Sequence, residues 1–524
     1  MKNMLRSKTA LLLALVMVLL TGCGGGQTTD TGAGDETETT EKRELTIAVA
    51  NDLQSFDPAN NDSASSQAIL CNMYSYLFTM DTDGNVINDL VTEYENVDDY
   101  TWSFTIRDDV TFWNGDKLTA EDVKFSIERP ALDTSLRENQ YFNVIKSVDV
   151  VDDTHFTVTT VEPYPALTML LCKSGSEILP KNYIESIGGM DAYRQAPIGS
   201  GPYEFVSWTK DDSVVMKPYA GYYGGAPTDW DQVTFRVIPE SSTRVAELLT
   251  GSVDMATDVP PNEWERINNN SNGSGSHMVF GPTTRCYMIM MRCDDGNATG
   301  DLRVRQAVEY AIDKELICDQ ILQGAGHPTR TRTPKGVLGY DESLDNTQLY
   351  DPDKARELLA EAGYADGLTL KMVAPTGRYL MDGDVAQTIV AMLAEVGITV
   401  ELELLEFSTY SQVLAAKTGP EMTLVAYGCG FFDASYSMNL FTQETNVGQM
   451  DWENQAYDDL FYAARSNMNQ EERLEQFKQT QQIVAEELPA VTLLQINAPI
   501  AVSNEIEFSP RVDELYKIEN FTKQ

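Results

Sequence analysis

The chain of 524 residues carries a formal net charge of −42, because 80 Asp and Glu residues stand against 38 Lys and Arg residues. Such a negative surface repels phosphate backbones, so nucleic acid is excluded as a partner, and it does not favour adsorption to anionic lipid head groups. A chain of this length is too long for a single hydrophobic core, and the sequence therefore predicts two or three lobes.

The N-terminus has the pattern of a secretory signal peptide. Basic residues come first, and residues 10–20 then form an apolar run that is too short to cross a bilayer comfortably. The run leads into the sequence LTGC, which resembles a bacterial lipobox and implies that Cys23 becomes a lipid-modified N-terminus. We therefore expect a signal peptide over residues 1–22 and an extracytoplasmic body, anchored to the outer face of the cell membrane by the lipid on Cys23. The alternative is an uncleaved anchor with an incidental cysteine.

Residues 23–43 consist mainly of Gly, Thr, Asp and Glu and have almost no apolar side chains. Such a segment cannot offset its own conformational entropy by burial, so we expect a disordered linker between the lipid and the folded body.

The most informative stretch of the body is residues 102–129, WSFTIRDDVTFWNGDKLTAEDVKFSIER. Apolar residues alternate from Trp102 to Ile106, which predicts a strand, and Asn114 begins an Asn-Gly turn. Thr119 and Asp122 then have the spacing of a capping box and predict the start of an amphipathic helix.

This stretch resembles the signature of family 5 extracytoplasmic solute-binding proteins, the receptors of ABC importers for peptides, nickel complexes and some sugars. Three shorter segments, LQSFDP, IGSGPY and VDMA, are similar to further family motifs and begin at residues 53, 198 and 253. The similarity thus covers nearly the whole chain after the linker.

The resemblance implies an α/β fold of the type II periplasmic-binding-protein kind, with two main lobes around a hinge and an additional small α+β lobe. We expect lobe I to comprise residues 44–78, 197–283 and 491–524. The small lobe II is expected over residues 79–196 and lobe III over residues 284–490, where helical and strand patterns alternate.

Residues 427–436, YGCGFFDASY, occupy the place where peptide-binding members carry an aspartate that pairs with the α-ammonium group of the ligand. The family pattern GW-x-x-D-x-x-DP is altered here, so Asp433 aligns either with that aspartate or with the later turn aspartate. The first alignment makes Asp433 a ligand contact, together with Phe431, Phe432 and Tyr436. The second alignment speaks against a free peptide as ligand.

A second ligand contact is implied by Arg378 and Tyr379 in the sequence TGRY, which resembles the GRYP segment of the family. An arginine there grips a ligand carboxylate in bidentate fashion, whereas a surface ion pair is the alternative. By analogy with the family, six further residues are expected to face the cleft: Asn72, Tyr74, Trp113, Tyr203, Arg285 and Tyr287.

Six cysteines follow Cys23, and none has the spacing of a zinc site. Cys286 and Cys429 lie in strand-like runs that the family comparison places at the crossover between lobes, so a disulfide between them is expected. Buried free thiols are the alternative.

The sequence offers little for catalysis. It has three histidines, no GxSxG elbow and no HExxH helix, so an enzyme, a cofactor and a metal centre are not expected. Glu401 and Glu403 share one face of a predicted strand and are interpreted as a solvated surface.

These features predict a monomeric, lipid-anchored receptor that captures a peptide in an inter-lobe cleft and delivers it to an ABC permease without a chemical step. An oligosaccharide is the alternative ligand. An extracellular hydrolase and a sensory or peptide-pheromone receptor are the alternative classes.

Overall fold

The computed structural model describes residues 43–61 and 64–524. The expected signal peptide, Cys23 and all of the expected linker except Arg43 lie outside these residues. Among the described residues, no helix has both the length and the apolar character that a membrane crossing demands.

The described chain contains a series of strands that build one large sheet, one small sheet and two hairpins. The strands are β1 (Glu44–Val49), β2 (Phe78–Met80), β3 (Val86–Asn88), β4 (Val91–Asp98), β5 (Thr101–Ile106), β6 (Ile145–Val150), β7 (His155–Thr160), β8 (Tyr203–Thr209), β9 (Ser213–Pro218), β10 (Gln232–Val237), β11 (Met255–Ala256), β12 (Ser276–Met291), β13 (Gly326–Pro328), β14 (Leu368–Thr376), β15 (Ile398–Glu406), β16 (Met422–Tyr427), β17 (Ala490–Ser503), β18 (Ile506–Phe508) and β19 (Phe521–Lys523).

Helices cover the faces of these sheets and link their strands. They are α1 (Ala64–Leu70), α2 (Ala120–Leu132), α3 (Asn139–Phe142), α4 (Leu167–Leu170), α5 (Lys181–Ile187), α6 (Met190–Tyr193), α7 (Ser241–Leu249), α8 (Pro261–Asn268), α9 (Leu302–Ala311), α10 (Lys314–Leu316), α11 (Pro352–Glu361), α12 (Asp382–Glu395), α13 (Phe407–Ala416), α14 (Ala434–Met438), α15 (Gln443–Asn446), α16 (Gln455–Ser466) and α17 (Gln470–Glu487).

The large sheet runs through the molecule in the order β15-β14-β16-β12-β17-β11-β1-β10-β9-β8, and β13 adds to β17. Its two long central strands, β12 and β17, pair antiparallel from Ser276 opposite Ser503 to Met290 opposite Ala490. The register shifts between Pro282 and Cys286, so the two strands are irregular where they pass from one half of the sheet to the other.

The small sheet has the order β4-β5-β7-β6. In β5 the side chains of Trp102, Phe104 and Ile106 are buried in alternation, as the sequence predicts. Helix α2 begins with the predicted capping box of Thr119 and Asp122 and packs on this sheet. Both elements of the signature stretch are therefore confirmed.

Buried hydrophobic side chains of the described residues gather in four clusters. Leu45 and Phe235 belong to a core around β1 and β10, whereas Phe104 belongs to a core between the small sheet and α2. Ile289 lies in a third core around β12 and β16, which continues along one face of the large sheet. Phe477 lies in a fourth core, where α14, α16 and α17 pack against β12 and β16. The α/β class is confirmed, and we propose that the first two cores correspond to lobes I and II and that the part of the third around β16 belongs with the fourth to lobe III.

The end of the expected lobe II packs against residues of the expected lobe I. Leu179, Ile184 and Tyr193, in and before helices α5 and α6, pack in the first core, whereas Ile178 still packs in the core of the small sheet. We therefore propose that residues 179–196 belong with lobe I, and the other lobe bounds stay predictions.

Candidate ligand-binding cleft

A cavity of about 720 Å³ lies between the small sheet lobe and lobe III. Lobe II contributes residues that follow α2, and lobe III contributes the segment after β16 together with more distant positions. The lining consists of Gln140, Tyr141, Asn143, Val144, Tyr164, Arg332, Tyr427, Gly428, Phe431, Ser435, Tyr436, Ser437, Asn439, Leu440, Thr445 and Arg465. We call this space the main cavity.

A second cavity of about 240 Å³ adjoins the main cavity, because Gln140 and Tyr141 line both. All three lobes contribute to its walls. The remaining lining residues are Gln67, Tyr76, Met80, Glu138, Met169, Cys172, Lys173, Ser174, Gly430, Phe432, Asp513 and Leu515. We call this space the side cavity, and the two together form a cleft.

The segment that follows β16 forms one wall of this cleft, as the sequence predicts for its location. Phe431 and Tyr436 line the main cavity and Phe432 lines the side cavity. Phe432 has a positive φ of 56°, which turns the chain sharply before α14 begins at Ala434. The turn directs successive aromatic side chains into different parts of the cleft.

Asp433 does not line either cavity, although it lies in the middle of this segment. Its side chain has 0 % exposure. Oδ1 accepts hydrogen bonds from Nη2 of Arg473 at 2.6 Å and from the backbone N–H of Ser435 at 2.9 Å. In this structure the carboxylate caps α14 and pairs with a buried arginine, and its role as a ligand contact stays a prediction.

Arg378 and Tyr379 lie on the loop after β14, and neither lines the two cavities. Asp382 fixes this loop by accepting hydrogen bonds from both backbone N–H groups, at 2.8 and 3.0 Å. The exposed guanidinium of Arg378 stacks on Phe407, with 4.7 Å between Cζ and the ring centroid. Its role as a carboxylate contact stays a prediction.

Two residues expected in the cleft, Asn72 and Trp113, instead form hydrogen bonds with backbone groups of lobe I. The amide of Asn72 donates to the carbonyl of Tyr516 and accepts from the N–H of Ile518. The indole N–H of Trp113 donates to the carbonyl of Gly201 at 3.1 Å. These polar groups have hydrogen-bond partners within the protein, and a ligand contact by Asn72 or Trp113 stays a prediction.

Two tyrosines of the same group are buried in lobe I. The hydroxyl of Tyr74 donates to the carbonyl of Phe56 and accepts from the hydroxyl of Tyr193. The ring of Tyr203 is buried at the start of β8, and its backbone N–H donates to the carbonyl of Asn72. Tyr74 and Tyr203 are therefore packing residues here.

The last two candidates lie where β12 passes between the lobes. Arg285 pairs with Glu514 at 3.1 Å, and the buried Tyr287 donates its hydroxyl hydrogen bond to the carbonyl of Leu380 at 2.9 Å. Neither residue lines the cleft. They connect β12 to neighbouring segments instead.

Cys286 and Cys429 are free and buried, so the expected disulfide is not formed in this structure. Burial raises the pKa of the Cys286 thiol to about 12 and raises the pKa of the Cys429 thiol as well. Both groups stay protonated at neutral pH, which makes them poor nucleophiles.

Sequence reasoning missed the residues of lobe II that face the cleft. Tyr141 lies opposite Tyr436 with 6.4 Å between ring centroids, and Tyr164 lies at the same distance from Phe431. Burial raises the pKa of both Tyr141 and Tyr164, so their hydroxyls are neutral. The main cavity is thus bordered by facing aromatic rings from two lobes.

Sequence reasoning also missed Arg332, which lines the main cavity yet is only 3 % exposed. Its Nη2 donates to the carbonyl of Gly428 at 2.8 Å, whereas Nε and Nη1 have no hydrogen-bond partner among the described residues. A signal was present, since Arg330, Arg332 and Lys335 concentrate positive charge in a very acidic chain.

In the described structure, a single ion pair links the two lobes that border the main cavity. Arg465 of lobe III donates from Nη2 to Glu162 of lobe II at 2.7 Å. Both side chains are exposed to solvent over roughly half of their surface, so the pair holds the lobes together only weakly.

The family description "Bacterial extracellular solute-binding proteins, family 5 Middle" matches residues 85–449, which is well over half of the chain. The chain belongs to this family. The family 5 assignment confirms the resemblance and identifies the protein as an extracytoplasmic solute receptor of an ABC importer, which works with membrane permease subunits.

Individual relatives agree with the family 5 assignment. The glutathione-binding protein GsiB of Salmonella typhi is 26 % identical over 467 residues, covering 86 % of this chain and 89 % of the relative. The structure of HbpA2 from Haemophilus parasuis matches with a TM-score of 0.81 at 21 % identity, covering 92 % of this chain and 100 % of that one. CtaP from Listeria monocytogenes matches with a TM-score of 0.80 at 20 % identity, covering 92 % of this chain and 99 % of that one. These structures confirm the type II periplasmic-binding-protein fold.

Proposed function

We propose that this family 5 receptor binds a short peptide or a peptide-like solute in the cleft and hands it to the permease unchanged. The observation that carries the proposal is the cleft itself, a main cavity of about 720 Å³ joined to a side cavity of about 240 Å³. Spaces of this size, with aromatic walls and a few polar groups, are typical of sites for small ligands.

The ligand class is supported by the relatives and by the walls of the cleft. GsiB, which covers most of this chain, is named for binding glutathione, a peptide-like molecule. Amide and hydroxyl groups of Gln140, Asn143 and Ser435 are available along the main cavity for peptide groups of a ligand. Tyr141 and Tyr436 offer apolar surface for its side chains.

A chemical step is not part of the proposal. None of the three histidines, all within the described residues, lines the cleft, and the two cysteines near the lobe crossover are buried thiols. Among the described residues no group of His, Cys, Asp and Glu side chains is arranged to hold a metal ion. We propose a monomeric receptor that is anchored through a lipid on Cys23 and binds without catalysis.

An oligosaccharide is a second candidate, because Tyr436 is 40 % exposed in the main cavity opposite Tyr141. An exposed aromatic ring in a cleft provides a stacking surface for a sugar face. The two ligand classes are separated by the identity of the bound molecule.

The test is native mass spectrometry of the full-length chain, extracted from membranes of the expression host in mild detergent, followed by denaturation and identification of released molecules. Short peptides are the expected cargo. A protein that releases sugars and binds no member of a library of dipeptides to pentapeptides contradicts the peptide proposal. The same protein after unfolding and refolding in ligand-free buffer serves as the empty control.

A further inference from the structure

We infer that Arg332 is the anchor for a carboxylate group of the ligand, and that this carboxylate, rather than a ligand ammonium group, determines recognition. The inference rests on the proposed function and deepens it, because it names the chemical group that the cleft selects. Its basis is a buried guanidinium that the protein itself leaves largely without partners.

The other buried arginines in the described part of the chain differ from Arg332 in their acceptors. Arg244 donates to four backbone carbonyls and Arg305 to three. Arg473 and Arg511 pair with Asp433 and Asp513, although Nε and Nη1 of Arg473, like those of Arg332, have no hydrogen-bond partner among the described residues. Arg332 differs because its one partner is a single carbonyl, so its charge has neither a carboxylate nor a set of carbonyls to balance it.

Arg332 has one backbone carbonyl as its acceptor, and its Nε and Nη1 groups have none among the described residues. A buried donor without an acceptor destabilises the protein, and more so when the donor is charged. Because Arg332 lines the main cavity, a ligand oxyanion can supply the missing acceptors. A carboxylate matches the planar fork of a guanidinium with two parallel hydrogen bonds.

The immediate surroundings hold Arg332 in position. The neighbouring Thr333 hydroxyl lies 2.6 Å from the hydroxyl of Ser437, and the Thr331 hydroxyl donates to the side chain of Gln481 at 2.7 Å. Both flanking residues are buried. The guanidinium is therefore presented to the cavity by a fixed backbone, so little ordering is needed when a ligand binds.

The charge of the main cavity also favours an anion. The residues that line it include Arg332 and Arg465 but no Asp or Glu, although acidic residues outnumber basic ones two to one in the whole chain. Arg465 is already paired with Glu162. Arg332 is thus the cation of this lining that is available to a ligand.

No equivalent carboxylate is available for a ligand ammonium group among the residues that line the cleft. Glu138 in the side cavity pairs with Lys173, and Asp513 pairs with Arg511. Asp433 is buried against Arg473. A ligand should therefore tolerate a blocked amine and lose affinity when its carboxylate is converted to an amide.

The first arm of the test is calorimetric titration of the full-length protein, freed of captured ligand, with trialanine, N-acetyl-trialanine and trialanine amide. We expect the two acids to bind and the amide to bind at least roughly 30-fold more weakly, as for loss of one partner of a buried charge pair. Arg332→Met should bind acids and amide alike. Arg330→Met is the matched control, since it removes a nearby arginine that pairs with Glu309 and lines neither cavity, and it should retain the preference for acids.

The second arm does not depend on peptide binding and measures thermal unfolding in acetate, phosphate or chloride at equal ionic strength. Acetate should raise the unfolding midpoint of the wild type and of Arg330→Met but not that of Arg332→Met. If no peptide binds but this acetate effect is seen, the Arg332 inference stands and the peptide proposal fails. Equal binding of acid and amide, undiminished acid binding by Arg332→Met, or stabilisation by phosphate in place of acetate overturns the inference. The absence of both peptide binding and an acetate effect overturns it as well.

Discussion

Arg473 and Arg332 are both buried in lobe III, but they stand in opposite electrostatic situations. Arg473 has a carboxylate partner 2.6 Å away, and the pair supports the start of α14 next to the cleft. Arg332 has a backbone carbonyl and an open cavity. The pair of Arg473 and Asp433 stabilises the wall of the cleft. Arg332 instead favours binding of a ligand that supplies hydrogen-bond acceptors.

Removal of the Asp433 carboxylate should therefore act on stability. Asp433→Ala leaves Arg473 buried without its partner, and we expect the free energy of unfolding to fall by about 3–5 kcal/mol. Thermal and urea unfolding of the ligand-free protein measure this change. Adding Arg473→Met should recover part of the loss, because it removes the uncompensated charge. A variant with wild-type stability and abolished peptide binding would instead restore Asp433 as a ligand contact.

Arg332→Met should shift ligand-free stability in the other direction. Since the guanidinium is incompletely satisfied in the described structure, its replacement by an apolar chain should increase the free energy of unfolding by roughly 1 kcal/mol. Differential scanning calorimetry in chloride buffer measures the shift. Arg305→Met, which removes three hydrogen bonds to carbonyls, is the contrasting control and should be destabilised.

At the scale of elements, Asp57 joins the small sheet lobe to lobe I. This buried carboxylate accepts from Arg129 in α2 at 2.5 Å and from Arg194 just after α6 at 2.8 Å. Burial acts to raise the pKa of Asp57, but the two arginines outweigh it and hold the pKa below the ordinary 3.8. One side chain thus connects two helices through its charge.

The stabilisation from Asp57 should depend on pH in the acid range. Because its pKa is lower in the folded than in the unfolded state, the stabilisation is complete above pH 3.8 and is lost as the pH falls through the folded-state pKa. Asp57→Asn should therefore lower the free energy of unfolding by about 3 kcal/mol at pH 7 and by progressively less below pH 4. Urea unfolding midpoints of both proteins from pH 7 to pH 2.5 measure this difference. A difference between the two unfolding midpoints that stays constant from pH 7 to pH 2.5 would contradict the pairing of Asp57 with the two arginines.

Local sequence patterns predicted individual elements well, because capping and alternation act over a few residues. The capping box of α2 is an example. The sequence does not reveal the positive φ of 55° at Met381, which directly precedes α12. Such backbone turns depend on tertiary contacts.

The composition of the cleft was harder to predict than its approximate location. The segment after β16 lines the proposed cleft, but the partner of Asp433 is 40 residues further along the chain. The IGSGPY motif also proved to be a packing feature, because a Cβ atom on Gly199 would lie 1.9 Å from the carbonyl oxygen of Met73. Whether a polar residue faces solvent, ligand or another side chain is decided by contacts that sequence spacing does not encode.

At the scale of the whole molecule, a receptor of this family must stay near its permease while its body remains in the aqueous phase. We expect Cys23 to provide that attachment, because the sequence LTGC that ends at Cys23 resembles a lipobox. Cys23→Ala should therefore move the protein from the membrane fraction to the soluble extracytoplasmic fraction. Fractionation and intact mass measurement detect the change, with Cys71→Ala as the control because Cys71 is buried in lobe I. Lipidation at Cys23 is contradicted if the Cys23→Ala protein stays in the membrane fraction and its mass differs from that of the wild type only by the substitution.

The course of the chain through the large sheet has a practical consequence for protein engineering. The described chain begins and ends on lobe I, leaves it through β12 and returns through β17. Arg332, Tyr436 and every other cleft residue of lobe III lie in the single stretch between these two crossings. Exchange of that stretch with the matching stretch of a relative needs only two junctions. The resulting chimaera should acquire the relative's preference for ligand charge. It should keep the N-terminal attachment expected for this chain, because that segment is not exchanged.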